Sequence, residues 1–125
     1  MSKIPNILDQ IAKESDDILG VCIFDHISGV LIAEKNVDSK IDLTIPAAYF
    51  SEFVKDASGA VKAMGIPADI NDYLLTFNNF YLIIKSVNNM KHFILCYISL
   101  NGNQAFVKEV LKKYEEPLGK ELESL

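Results

Sequence analysis

Gly20-Val21-Cys22-Ile23-Phe24-Asp25-His26-Ile27-Ser28-Gly29-Val30-Leu31-Ile32-Ala33 reads as two apolar strands joined by a polar turn. Val21 to Phe24 is apolar on both faces of a strand. Such strands belong in the interior of a sheet that is covered on both sides. Asp25 to Gly29 carries turn chemistry, and Gly29 supplies the left-handed backbone position that a hairpin turn needs. Phe93-Ile94-Leu95-Cys96-Tyr97-Ile98 repeats the double-sided pattern. The two runs form the natural central pair of one sheet.

The rest of the chain arranges itself around that pair. Ile4, Ile7, Leu8 and Ile11 recur at helical spacing, with Ser2 as the expected cap and Pro5 tolerable only in the first turn. After the hairpin, Glu34 to Asp42 is a polar loop. Thr44 is read as the cap of a long helix that Gly65-Ile66-Pro67 stops. Asp72 to Phe77, Phe80 to Val87 and His92 to Leu100 then read as three strands, turning at Asn78-Asn79 and at Asn88-Asn89-Met90. A last helix begins after Asn101-Gly102-Asn103, with Phe106, Val107, Val110, Leu111 and Tyr114 as its stripe. Pro117 breaks or kinks it, and residues 118–125 are expected to form a loosely attached tail. Joining the hairpin to the meander through the two doubly buried strands gives the order 2-1-5-4-3, all antiparallel. The expected fold class is α+β: one long helix on one sheet face, and the first and last helices on the other.

Length and composition set the outer bounds. At 125 residues, half of them apolar, residues 1–125 are expected to form one domain with a substantial core. No apolar run approaches the roughly 18 to 20 residues of a spanning helix. Met1-Ser2-Lys3-Ile4-Pro5 lacks the apolar core of a secretion signal, position 2 is not Gly, and the final residues carry no prenylation Cys. The expected location is cytoplasmic, with no membrane insertion. The net charge is −5, and all 12 basic residues are Lys. An acidic domain is repelled by phosphate backbones, so no nucleic-acid partner is expected. A chain without Arg cannot insert an arginine finger into a nucleotide hydrolase.

Residues that could do chemistry are few. Cys22 with His26, and His92 with Cys96, are each four apart. On a strand that spacing separates two ligands by about 13 Å, so one strand cannot close a tetrahedral zinc site. Pairing Cys22 with His92 across two strands would be required. Reduced thiols acting as small apolar fillers are the plainer reading. Asp25 beside His26 has only Ser28 for company, in a turn too short to align a triad. The expectation is therefore no catalytic residue, no cofactor-binding residue and no metal site.

The order of elements and the residues of the hairpin resemble the Roadblock family, named for dynein light chains. The Gly20–Ala33 stretch resembles its opening hairpin, and Tyr73-Leu-Leu-Thr-Phe77 with Phe80-Tyr-Leu-Ile-Ile84 its middle strands. Ile98 to Val107 is similar to its strand-to-helix junction. The resemblance runs from about Ile4 to Leu118. The first turn is one residue longer than usual, and Lys108 stands near a position where the family often has Arg. The resemblance implies a profilin-like sandwich that dimerises through the long helix and the strand after it. It also implies a scaffold role, or a platform that binds and regulates Ras-like small GTPases without supplying an Arg.

The residues give a matching reason for dimerisation. The apolar positions of the long helix sweep an arc of roughly 160°, where one sheet face needs about 100°. Tyr49, Phe53, Ala60 and Met64 lie along one border of the arc, and Tyr73, Leu75 and Phe77 line the edge strand. These seven residues are the expected dimer interface, with a second copy or a paralogous Roadblock-type subunit as partner. A deeply seated helix without a partner is the plain alternative. For function, the leading expectation is a non-catalytic interaction module for a small GTPase or its complex. A structural light chain or adaptor without GTPase contact, and a profilin-like or PAS-like small-molecule sensor, are the alternatives.

Overall fold

A computed structural model describes residues 2–125. The elements in chain order are α1 (Ile4–Lys13), β1 (Ile18–Asp25), β2 (Leu31–Asn36), α2 (Thr44–Ala63), β3 (Asp72–Thr76), β4 (Phe80–Val87), β5 (His92–Ser99), α3 (Gln104–Lys113) and α4 (Glu115–Glu123). One antiparallel sheet runs β2-β1-β5-β4-β3, the order that the double-sided apolar strands require. Val21, Cys22, Ile23 and Phe24 in β1 are fully buried, as are Phe93, Ile94 and Cys96 in β5. Alternate residues of each strand feed two separate cores. Val21, Ile23, Ile83, Ile94, Cys96 and Ile98 pack under α1, α3 and α4. Cys22, Phe24, Leu82, Ile84, Phe93 and Leu95 pack under α2.

Turn chemistry fixes the register. Gly29 has φ +73°, and its N–H donates to the carbonyl of Asp25 at 2.9 Å. Asn88, Asn89 and Met90 all lie in the left-handed region, at φ 53°, 52° and 66°. Asn tolerates that region because its short side chain can bond locally; Met does not share the advantage. The Asn78-Asn79 turn closes through the Phe77 N–H and the Phe80 carbonyl at 2.9 Å and uses no positive φ.

Helix ends depart from the sequence reading in small ways. α2 starts at Thr44, and Leu43 precedes it without a capping side chain. Asp42 supplies the acceptor, its Oδ1 taking the Thr44 N–H at 2.9 Å. Asn103 does cap α3, accepting from the Phe106 N–H at 3.0 Å.

The larger departure concerns residues 118–125. They are not a loose tail: α4 runs to Glu123, and Leu118 and Leu122 are buried in the core with α1 and α3. The chain bends at Tyr114, between α3 and α4, and not at Pro117. Pro117 is the third residue of α4, inside the first turn, where its missing N–H costs no helical bond. Three helices therefore share the face assigned to two. Phe106, assigned to the α3 stripe, is instead exposed.

Candidate functional site

The first half of α2 is fastened to the sheet at named points. Ala47, Ser51 and Val54 are its only buried residues. Ser51 Oγ donates to the His26 carbonyl at 2.8 Å, and Lys55 Nζ donates to the Ile27 carbonyl at 2.6 Å. Gly29 allows this approach, because a Cβ there would press on the Ala48 and Ser51 atoms. From Lys55 to the end of the helix nothing is buried. α2 lies on one sheet face, as expected, and buries side chains against it only as far as Val54.

What the helix leaves open is the stripe picked out by spacing. Tyr49 is 73 % exposed, Met64 67 % and Phe53 38 %, and Ala60 is exposed too. At 3.6 residues per turn these four share one side of the helix. Phe53 reaches the sheet: its ring meets Tyr73 of β3 with centroids 5.3 Å apart. The Tyr73 hydroxyl donates to the Val54 carbonyl at 3.4 Å. Tyr73 and Leu75 are half-buried against the α2 core. Phe77 lies just beyond β3, exposed, its ring stacked on Phe80 at 4.6 Å. The structure thus brings Phe53 to Tyr73 and leaves Tyr49, Ala60 and Met64 in solvent.

β3 ends the sheet and pairs only with β4. The Phe77 N–H donates to Phe80, and the Asn71 carbonyl accepts from Ser86. Odd-numbered residues therefore turn their backbone groups toward β4. Asp72, Leu74 and Thr76 turn theirs to the open edge. An unpaired apolar edge is a template for pairing with another chain. Leu74, exposed on the sheet face opposite Tyr73 and Leu75, adds to this edge and was not expected from the sequence. Neither was Ile45, exposed in the first turn of α2 outside the apolar arc, nor Ile66 in the loop beyond it. Both flank the stripe but fall off its helical period. Ile27 and Val30 also stand exposed in what the sequence marked only as a turn.

Of the chemistry-bearing residues, Asp25 and His92 come together, with Oδ2 and Nε2 4.0 Å apart. Asp25 Oδ1 accepts from the Ile27 and Ser28 N–H groups and from Ser28 Oγ. Those bonds, the Ser28 N–H foremost, hold its carboxyl below the usual carboxylate range. The carboxylate is a turn cap, not a base for His26. The His26 ring packs edge-on against Phe93 at 5.1 Å, with Nδ1 buried and unpartnered. Burial holds its pKa below the ordinary value. Cys22 pairs with Leu95, and Cys96 with Val21, so the two thiols point to opposite faces of the sheet. Both are free. Among the described residues, no three His, Cys, Asp or Glu side chains are placed to hold a metal ion. No helix among them is long and apolar enough to cross a membrane. A groove of about 560 Å³ lies between the β4–β5 turn and α4, lined by Asn88, Met90, Glu115 and Glu123 among others. It is away from α2.

No protein-family model matches the sequence, and no curated protein matches it. Solved structures do. MglB of Myxococcus xanthus is 22 % identical, with 98 % of this chain and 97 % of that one covered, at a TM-score of 0.86. A structure described as MglB with tetrameric arrangement is 15 % identical over 95 % of this chain and 87 % of that one, at 0.81. A Roadblock/LC7 domain from Streptomyces avermitilis is 10 % identical over 91 % and 96 %, at 0.75. At these identities the likeness is one of fold, and the fold is of the Roadblock type.

Proposed function

We propose that this Roadblock-fold chain is a non-catalytic dimeric interaction module that binds or regulates a Ras-like small GTPase, or serves within its complex. The observation that carries the reading is the open apolar stripe Tyr49-Phe53-Ala60-Met64 beside the unpaired edge of β3. A two-fold partner covers both at once, and two-fold closure is the commonest oligomer symmetry. If edges pair and both long helices stay on one face, the axis stands perpendicular to the sheet. Strands β3 and helices α2 then run antiparallel to their copies. The middle of the stripe falls between Asp56 and Ala57, so Phe53 of one chain meets Ala60 of the other, and Tyr49 meets Met64. Large residues opposite small ones fit the packing that helix pairs require. The tetrameric arrangement named for one neighbour supports self-association through this fold.

The GTPase belongs to the proposal through the fold and the family resemblance. Without an Arg in the chain, regulation would act by repositioning elements of the GTPase and not by an inserted finger. The test takes a Ras-like GTPase from the same organism, loaded with GDP or with a non-hydrolysable GTP analogue. Calorimetry should show binding that depends on the nucleotide. Absence of binding in both states, from a chain that is still dimeric, would favour the structural adaptor.

A further inference from the structure

The border of the α2 stripe carries charge of one sign. Asp56 is exposed, two turns along the helix from Tyr49 and about 20° round it, and Glu52 lies one turn before it on the same side. Asp69 and Asp72, at the entry to β3, are exposed as well. Lys55 is engaged by Glu52 at 3.3 Å and by the Ile27 carbonyl. Lys62 lies on the other side of the helix. Among the described residues, Asp56, Asp69 and Asp72 form no ion pair within the chain. Asp56 is thus a solvated carboxylate without an ion-pair partner in the chain, at the midpoint of the stripe's border.

The two-fold pairing proposed above turns that position into a determinant. Residues at the midpoint of an antiparallel pair approach their own copies across the axis. Helix axes in contact lie about 8–10 Å apart, so two Asp56 carboxylates on the same border would face each other within about a Debye length. Charges beside an apolar seam are the positions that set partner choice in paired helices. We propose that Asp56 selects the partner of this surface. It weakens pairing with a second copy and favours a different chain of the same fold, whose long helix has an apolar stripe bordered by Lys or Arg. The inference rests on the α2–β3 pairing, and it adds which chain completes it.

The experiment uses the full-length chain and two variants, Asp56→Asn and Asp56→Lys. The side chain makes no contact the fold depends on, so both should fold as the parent does. Sedimentation equilibrium at low salt should show the Asp56→Asn chain self-associating roughly three- to tenfold more tightly than the wild type, converging with it at high salt as like charges are screened. Mixed wild-type and Asp56→Lys chains, one carrying a mass tag for native mass spectrometry, should form the mixed dimer well above the statistical half. Equal self-association of wild type and Asp56→Asn, with statistical mixing, would overturn the assignment of Asp56 and leave the dimer standing. Monomers throughout, mixtures included, would overturn the pairing itself and this inference with it.

Discussion

The ring of Phe53 in α2 lies 5.3 Å from the ring of Tyr73 in β3, with the planes tilted by 56°. The contact ties the middle of the helix to the edge strand, and it puts both on one continuous surface. Aromatic pairs of this kind contribute about 0.5–1.5 kcal/mol beyond their buried area.

Tyr73→Leu should therefore loosen the end of α2 without unfolding the sheet. Stability should fall by about 1 kcal/mol, and amide exchange should accelerate between residues 57 and 64. Unchanged exchange there would mean that the helix end is held by something other than this pair.

Gly20 is the position where β1 can least accept a side chain. A Cβ would collide with the ring of Tyr97 and with Asn36 Oδ1, and the Tyr97 hydroxyl donates to that oxygen at 2.6 Å. Gly20→Ala should cost about 1–3 kcal/mol in urea unfolding. Adding Tyr97→Leu should recover part of the loss, because the ring is the obstacle. A second variant no more stable than the first would contradict the contact.

The thiols should be inert while the chain is folded. Burial pushes Cys96 up to about 12 and Cys22 higher still. At neutral pH neither offers thiolate to a disulfide reagent. Both should react in urea and neither without it, and mild oxidants should form no bond between them. Rapid native labelling of either would contradict the strand placement.

Acid should destabilise the fold through its histidines. Burial holds His26 and His92 below the ordinary imidazole value of about 6.5. Lys55 adds to this at His26 and Lys91 at His92, while Asp25 opposes it at both. The unfolded chain then binds more protons than the folded one as pH drops, so stability rises with pH in that window. The contribution is complete above about pH 6.5 and is lost as pH falls through the folded values. Unfolding free energy should decline from pH 7 to 5.5. The decline should be shallower in His26→Phe, which keeps an aromatic ring against Phe93. Equal slopes in the two proteins would contradict a role for His26.

α4 should behave as core. Leu118→Ala should cost about 2–4 kcal/mol, a loss that a loosely attached segment would not produce.

The sheet order was legible because β1 and β5 carry apolar residues on both faces, and such strands have few places to go. The α2 stripe was legible because an arc wider than one sheet face shows in the spacing of Tyr49, Phe53, Ala60 and Met64. The end of the chain was not. Pro117 looks like a stop when the preceding helix is taken to continue. It is harmless once the bend falls at Tyr114 and the Pro enters a new first turn. Phe106 stands about 100° round the helix from Val107, outside the face that Val107, Val110 and Leu111 bury. The open edge was not legible in the spacing either. Spacing groups Tyr73, Leu75 and Phe77 on one side, whereas hydrogen bonding assigns the free backbone groups to Asp72, Leu74 and Thr76.

That last distinction shapes the test of the dimer. A Pro at Leu75 would break the ladder to β4, while Leu74→Pro removes a donor from the open edge alone. Sedimentation equilibrium should find the wild-type chain associating at high micromolar concentration. The Phe53→Glu/Leu74→Pro chain should be folded by circular dichroism and monomeric. A wild-type chain that stays monomeric at that concentration, alone and mixed with the Asp56→Lys chain, would contradict the account of this surface as a dimer seam.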